Sequence, residues 1–402
     1  MIRKSHNTNG LRPAERIDVP EINVRKRLIL VIALAVIAFT AFGIAISRAL
    51  SRPSGWTAIE ARTGSPGCAG EFSFQYCLDS KGSSAQYKAV SALYTAACEK
   101  AVSIFGKNTL SVLSEESNEP VNLEPEMVNA IRILKRYDSR IAYLAPLYET
   151  YDSLFFCTED EETVDYDPAQ NPELAALFSQ LAEYASDPEH IDIVVCDDSS
   201  AILSVSEEYL RFASDNGCDT LFDLGWMRNA FIIDYIAGEL RTAGYTHGYI
   251  QSYDGFVVNL CETDETFAMS VFDRNETGEY LAARMDYTGP VSFTALRSYS
   301  LNPSVRDHYY ELRDGRIISC FLDPADGVSK TSIDDLLMWS SSLGCAELLM
   351  RCAPVFISST FDPSGLASEN AEYLYCIDNV IVCSASNISF PMIGEGYRVI
   401  SG

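Results

Sequence analysis

The chain has 402 residues, enough for one large domain or two with an ample core. Its 47% apolar residues argue for a globular protein rather than a disordered one. With 56 acidic against 30 basic side chains it carries a net charge of −26, which disfavours nucleic acid, whose phosphates would be repelled.

Residues 1–24 are polar and read as a disordered cytoplasmic tail. Leu28 to Ile46 is an uncharged, largely apolar run close to the roughly 20 residues that cross a bilayer as a helix. Arg25-Lys26-Arg27, with Arg3, Lys4, Arg12 and Arg16, outweigh Arg48 and Arg52 beyond it. The expectation is therefore a signal anchor over 25–50, with the N-terminus inside and the rest outward, at the cell membrane. A cleaved signal peptide is the competing reading, but the run is longer than a usual signal core. The first 52 residues hold nine basic and three acidic side chains, which leaves 21 basic against 53 acidic for the exported part.

Residues 51–66 read as a linker leaving the membrane, and 67–402 as the extracytoplasmic domain. Helical spacing of apolar residues predicts helices over 85–105, 126–136 and 172–184, with an acidic surface loop at 157–172. A strand-like run follows at 191–203, a short helix at 206–214 and a long helix from Asp223 to near Gly244. Alternating runs at 249–260, 268–273, 280–285 and 335–340 are strands. A helix covers 346–355, and 373–384 with 397–400 closes the sheet. Strands and helices are segregated, so the class is α+β.

All twelve cysteines follow the apolar run, in what is expected to be an oxidising space where disulfides are the default. Cys68 with Cys77, and Cys376 with Cys383, are the local pairs to test. No Cys-x-x-Cys occurs and only four histidines exist, which leaves a zinc or haem site little support. P-loop, Gly-x-Ser-x-Gly and His-Glu-x-x-His motifs are missing too. Asn275-Glu276-Thr277 and Asn387-Ile388-Ser389 match glycosylation sequons, a short pattern that chance often supplies.

Two segments carry the most information. Asp223-Leu224-Gly225-Trp226-Met227-Arg228-Asn229-Ala230, running on to Asp234, reads as a strand end, a Gly turn and a helix start, where free N–H groups favour an anion. Cys320-Phe321-Leu322-Asp323-Pro324-Ala325-Asp326-Gly327 is a turn carrying carboxylates. In this order they resemble the FAD:protein FMN transferase (ApbE) family, whose patterns are Asp-Leu-Gly-Gly-Ile-Ala-Lys-Gly-Tyr followed by an Asp, and His-Ile-Ile-Asp-Pro-Arg-Thr-Gly. Ala346-Glu347-Leu348-Leu349-Met350-Arg351 falls where the family has Ala-Asp-Ala-Leu and a Thr one turn on. Here Trp226 stands for a Gly, Asn229 for the Lys, Cys320 for the His and Arg351 for the Thr. The resemblance covers roughly residues 70–400 and implies a single ApbE-like (T-fold-like) domain.

It also implies chemistry. FMN would pass from FAD to a Thr or Ser hydroxyl of a secreted or membrane acceptor protein, with release of AMP. A divalent cation, Mg²⁺, would disperse the phosphate charge. By position, Glu347 and the backbone carbonyl of Arg228 bind the cation, and Asp323 assists the reacting groups. Asp223, Gly225 and Arg228 shape the FAD pocket, with Asp254 and Gly255 where the family carries a Gly-Gly turn.

Arg351 leaves two readings open: it replaces the metal and grips the diphosphate, or it pairs with Glu347 one helical turn away as an ordinary surface ion pair. Asp323 is equally a turn starter and Asp223 equally a helix cap. A thiol at 320 cannot act as a His does. The alternative to a transferase is a catalytically degenerate relative that binds flavin or protein partners without transfer.

Overall fold

Two neighbouring strands, Val291–Arg297 and Asp335–Ser340, are buried on both sides, and the domain is arranged around them. The computed structural model describes residues 54–62, 67–275, 278–301 and 308–402. The tail 1–24, the apolar run 28–46 and Glu276-Thr277 of the first sequon lie outside them. Among the described residues no helix is long and apolar enough to cross a membrane.

The strands are β1 Gly55–Ala58, β2 Phe72–Leu78, β3 Val121–Asn122, β4 Ile191–Val195, β5 Ser200–Val205, β6 Gly248–Ser252, β7 Phe256–Asn259, β8 Thr266–Asn275, β9 Gly278–Thr288, β10 Val291–Arg297, β11 Tyr309–Glu311, β12 Ile317–Ser319, β13 Asp335–Ser340, β14 Glu372–Ile377, β15 Val380–Cys383, β16 Ser389–Ile393 and β17 Arg398–Ser401. The helices are α1 Ser83–Phe105, α2 Lys107–Glu115, α3 Pro125–Tyr137, α4 Arg140–Tyr143, α5 Ala145–Phe155, α6 Asp160–Thr163, α7 Pro172–Ser186, α8 Glu207–Asp215, α9 Arg228–Thr242 and α10 Cys345–Phe356. The class is α+β.

Nine strands form the main sheet in the order β1-β2-β6-β7-β10-β13-β14-β15-β17, antiparallel except for β15 with β17. Helices α1, α9 and α10 pack on one face, where Leu296, Leu336 and Met338 join their core. On the other face Phe293, Ala295, Leu337 and Trp339 pack against Val271, Ala282 and Met285 of the small sheet β16-β9-β8. The polar positions of β10 are thus also covered, and Thr294 Oγ1 donates to the Cys345 carbonyl at 3.0 Å. No sequence expectation covers this Val-Ser-Phe-Thr-Ala run. Burial on both faces, with the Thr294 hydroxyl satisfied, makes it a central one.

The expected helices appear as α1, α3, α7, α8, α9 and α10, several with the caps their sequences supply. Asn171 accepts from the N–H groups of Glu173 and Leu174 at the start of α7, and Ser206 accepts from that of Tyr209 in α8. The run 191–203 is a hairpin, β4 and β5, reversed where Asp197 Oδ1 accepts from the Ser199 N–H at 2.7 Å.

Two expectations are corrected. Residues 55–58, expected in the linker, form edge strand β1, with Trp56 opposite Cys77 of β2. Both local disulfides also fail. All twelve cysteines are free. Cys77 lies at the far end of β2, about 17 Å of extended chain beyond Phe72, whereas Cys68 precedes that strand. In the β14–β15 hairpin, Cys376 faces Ile381 and Cys383 faces Leu374, so the two thiols are diagonal, about 7–8 Å apart at Cα and beyond usual disulfide reach.

Candidate functional site

Around the signature turn the chain packs against itself. Gly225 has φ +51°, and a Cβ there would sit 3.0 Å from the Tyr148 ring, so the Gly serves contact with that ring. Trp226 is buried edge-on to Phe321 with centroids 4.9 Å apart, and Phe321 meets Phe356 of α10 in the same way at 5.0 Å. This aromatic column joins the three segments singled out in the sequence. Asp223 is buried and its N–H donates to the Ala142 carbonyl at 3.0 Å. It caps nothing: the turn Gly225–Met227 is capped by Leu224 and α9 by Met227, neither through a side chain.

Arg228 Nη2 pairs with Glu71 at 3.1 Å, and its carbonyl belongs to the helical hydrogen-bond ladder of α9. Asn229, in the place of the family's Lys, donates from Nδ2 to Asp254 Oδ2 at 3.0 Å. The Oδ1 atoms of both side chains are buried without a partner. Burial raises the Asp254 carboxyl above the usual range, opposed by hydrogen bonds from Ser252 and Asn229 and by His308. Gly255 has φ +108°, and a Cβ would come within 2.2 Å of the Ala295 carbonyl, so this Gly seats the β6–β7 turn on β10.

Cys320 is buried, and burial followed by the nearby Asp254 charge pushes its thiol well above the ordinary value. It stays protonated near neutral pH and offers no base. Asp323 Oδ1 accepts from the Ala325 N–H at 2.9 Å and Oδ2 from Lys330 Nζ at 3.1 Å. Lys330 also pairs with Asp326. Gly327, at φ +73°, leaves no room for a Cβ beside Leu147. The carboxylate turn is therefore a Lys-bridged Asx turn packed on α5 and α7.

On α10, of the two readings left open for Arg351, the ion pair with Glu347 does not form. Glu347 bonds Arg136 of α3 at 2.7 Å, and Arg351 Nε donates to the Tyr137 hydroxyl at 3.0 Å with its guanidinium 5.6 Å from that ring. Arg351 also reaches Ser368. Helix α3 thus supplies partners to both residues, and contacts across 211 and 214 residues are invisible in a helical-spacing argument.

The donor set does not fit a divalent cation. Its one carboxylate is already bound to a guanidinium, a second guanidinium lies one turn on, and among the described residues no group of three metal-ligating side chains occurs. A cavity of about 80 Å³ borders Asp254 together with Tyr253, Arg297, Tyr299 and His308. It shares Tyr299, Ser300 and Tyr309 with a cavity of about 540 Å³, within the range of roughly 300–1,000 Å³ at which pockets enclose a small ligand. A cavity of about 610 Å³, between Thr266, Asp286, Trp339 and Asn370, touches none of the expected site residues.

Two features went unpredicted. Asp234 receives the N–H groups of Cys345 and Ala346 at 2.8 and 2.9 Å, so a side chain of α9 caps α10. Burial raises its pKa to about 6, against the pull of those two bonds. A charged residue inside an apolar helix was the available signal. The second is the strand-end pair Arg297–Asp335 at 3.2 Å with Tyr299 donating to Asp335, which the β10–β13 register creates.

No protein-family model matches the sequence, and no curated protein matches it by sequence. Solved structures do. The chain is similar to the ApbE protein of Thermotoga maritima, with a TM-score of 0.53 at 11% identity over 79% of this chain and 93% of that one. It is similar to the flavin transferase ApbE of Vibrio cholerae, with a TM-score of 0.54 at 10% identity over 84% and 97%. The chain has an ApbE-like fold carried by a strongly diverged sequence.

Proposed function

We propose that this chain is a catalytically degenerate ApbE-like protein, anchored by residues 28–46 and facing outward, that engages its partners without transferring FMN. One observation carries the reading: the aromatic column Trp226–Phe321–Phe356 fills the interval between the signature turn, the Asp-Pro segment and α10. Phosphoryl transfer depends almost wholly on positioning and charge dispersal. Here the carboxylate expected to hold the cation is paired with Arg136, and Cys320, where the family pattern has His, is a buried thiol. The acidic exported part suits a protein partner rather than a polyanion.

The test is release of AMP from FAD, together with covalent flavin fluorescence on acceptor proteins, when the full chain in detergent is mixed with a membrane extract that supplies Thr- and Ser-bearing acceptors, with and without Mg²⁺. The expected result is no AMP above the uncatalysed background and no Mg²⁺-dependent retention of flavin. Mg²⁺-dependent AMP release that disappears in Glu347→Ala would overturn the reading in favour of an active FMN transferase.

A further inference from the structure

The segment entering the domain is fastened along one stripe of α1. Ser91 Oγ donates to the Glu60 carbonyl at 2.6 Å, and the Arg62 N–H donates to Thr95 Oγ1 at 2.9 Å. Ser91, Thr95 and Cys98 are spaced i, i+4 and i+7, so they share a helix face. At the third position the chain returns: Cys68 Sγ lies 3.6 Å from the Cys98 carbonyl. A Cβ on Gly67 would stand 3.3 Å from the Cys98 Cβ, so the two backbones are in contact there. Both thiols are buried in the same core. The neighbouring Cys98 thiol is also the first cause raising that of Cys68.

We propose that Cys68 and Cys98 are disulfide partners when the chain folds in an oxidising compartment, closing the clamp of the entry segment on α1. The compartment rests on the outward placement proposed above; the pairing rests on geometry. Each thiol gives up a proton, together they give up two electrons, and one S–S bond forms. A disulfide oxidant takes up the two electrons and two protons: a thioredoxin-like oxidase becomes its dithiol, or glutathione disulfide becomes two glutathione thiols. Because both sulfurs are buried, the bond forms as β2 docks on α1 and is afterwards shielded from reductant.

Two arms separate pairing from placement. In the first, the full chain is denatured, reduced and refolded in detergent with a glutathione redox buffer, then alkylated and mapped without reduction, with fragmentation placing the link on Cys68 rather than Cys77. The expected result is a Cys68–Cys98 peptide. Cys98→Ser should lower Tm by roughly 5 °C against the oxidised parent and by almost nothing against the reduced one. Both cysteines alkylated singly, or either linked to another cysteine, would overturn the pairing. In the second arm, protein taken from cell membranes is alkylated at once. A link found in the first arm and missing here leaves the pairing standing and removes the outward placement.

Discussion

Helix α9 carries one half-buried carboxylate, Asp234, and contacts another, Asp254, and the two are treated in opposite ways. Asp234 receives two N–H donors from the start of α10. Asp254 receives Nδ2 of Asn229 on one oxygen, while its other oxygen and the Asn229 carbonyl oxygen are buried without partners. The first carboxylate is fully used by the architecture. The second sits beside a cavity of about 80 Å³, which shares Tyr299, Ser300 and Tyr309 with one of about 540 Å³. Satisfied polar groups mark what the fold needs, and half-satisfied ones mark a place where the fold leaves hydrogen-bonding capacity open.

The comparison can be broken most forcefully at the aromatic column. Trp226→Ala should cost about 4 kcal/mol by opening a cavity between the signature turn and α10, read in a urea titration. If instead the variant keeps its stability and gains FAD affinity, the indole is a plug over a serviceable site. Asp234→Ala should cost about 3 kcal/mol, because two N–H groups and the space around them lose their partner. Asp234→Asn, which keeps one acceptor, should lose about half of that.

Asp254→Asn should go the other way, stabilising by about 1 kcal/mol, since a second amide can donate to the orphaned Asn229 oxygen and no buried charge remains. The pH profile sharpens the point. Asp335 is raised to about 7 by burial, opposed by Arg297, and Asp234 to about 6. A raised carboxyl contributes stability fully present below its unfolded value near 4 and lost as pH rises through the folded value. Tm should therefore fall across about pH 4 to 7, and Asp335→Asn should flatten that slope. A profile that rises over this window in both proteins would show the carboxylates to be ionised and well paired. The smallest effect belongs to Glu347→Gln, about 0.5 kcal/mol or less, because Arg136 is 62% exposed.

Much of the fold was legible in the chain. The periodicity of α1, α3, α7, α9 and α10 is a local property. The order Asp-Leu-Gly, Asp-Pro, Ala-Glu was enough to point to an ApbE-like fold, which the solved structures bear out. Strand β10 and the edge strand β1 were missed because their burial and pairing come from distant segments.

The sequence by itself determined the helices, the α+β class and the kinship of the fold, because each rests on spacing within a few turns or on motif order. What only the tertiary structure decided is which partner every polar side chain meets. Glu347 meets Arg136 rather than Arg351, Cys68 lies by Cys98 rather than Cys77, and Asp234 caps a helix more than a hundred residues away. Such contacts are set by how sheets and helices stack, and side-chain charge or spacing along the chain carries no record of them.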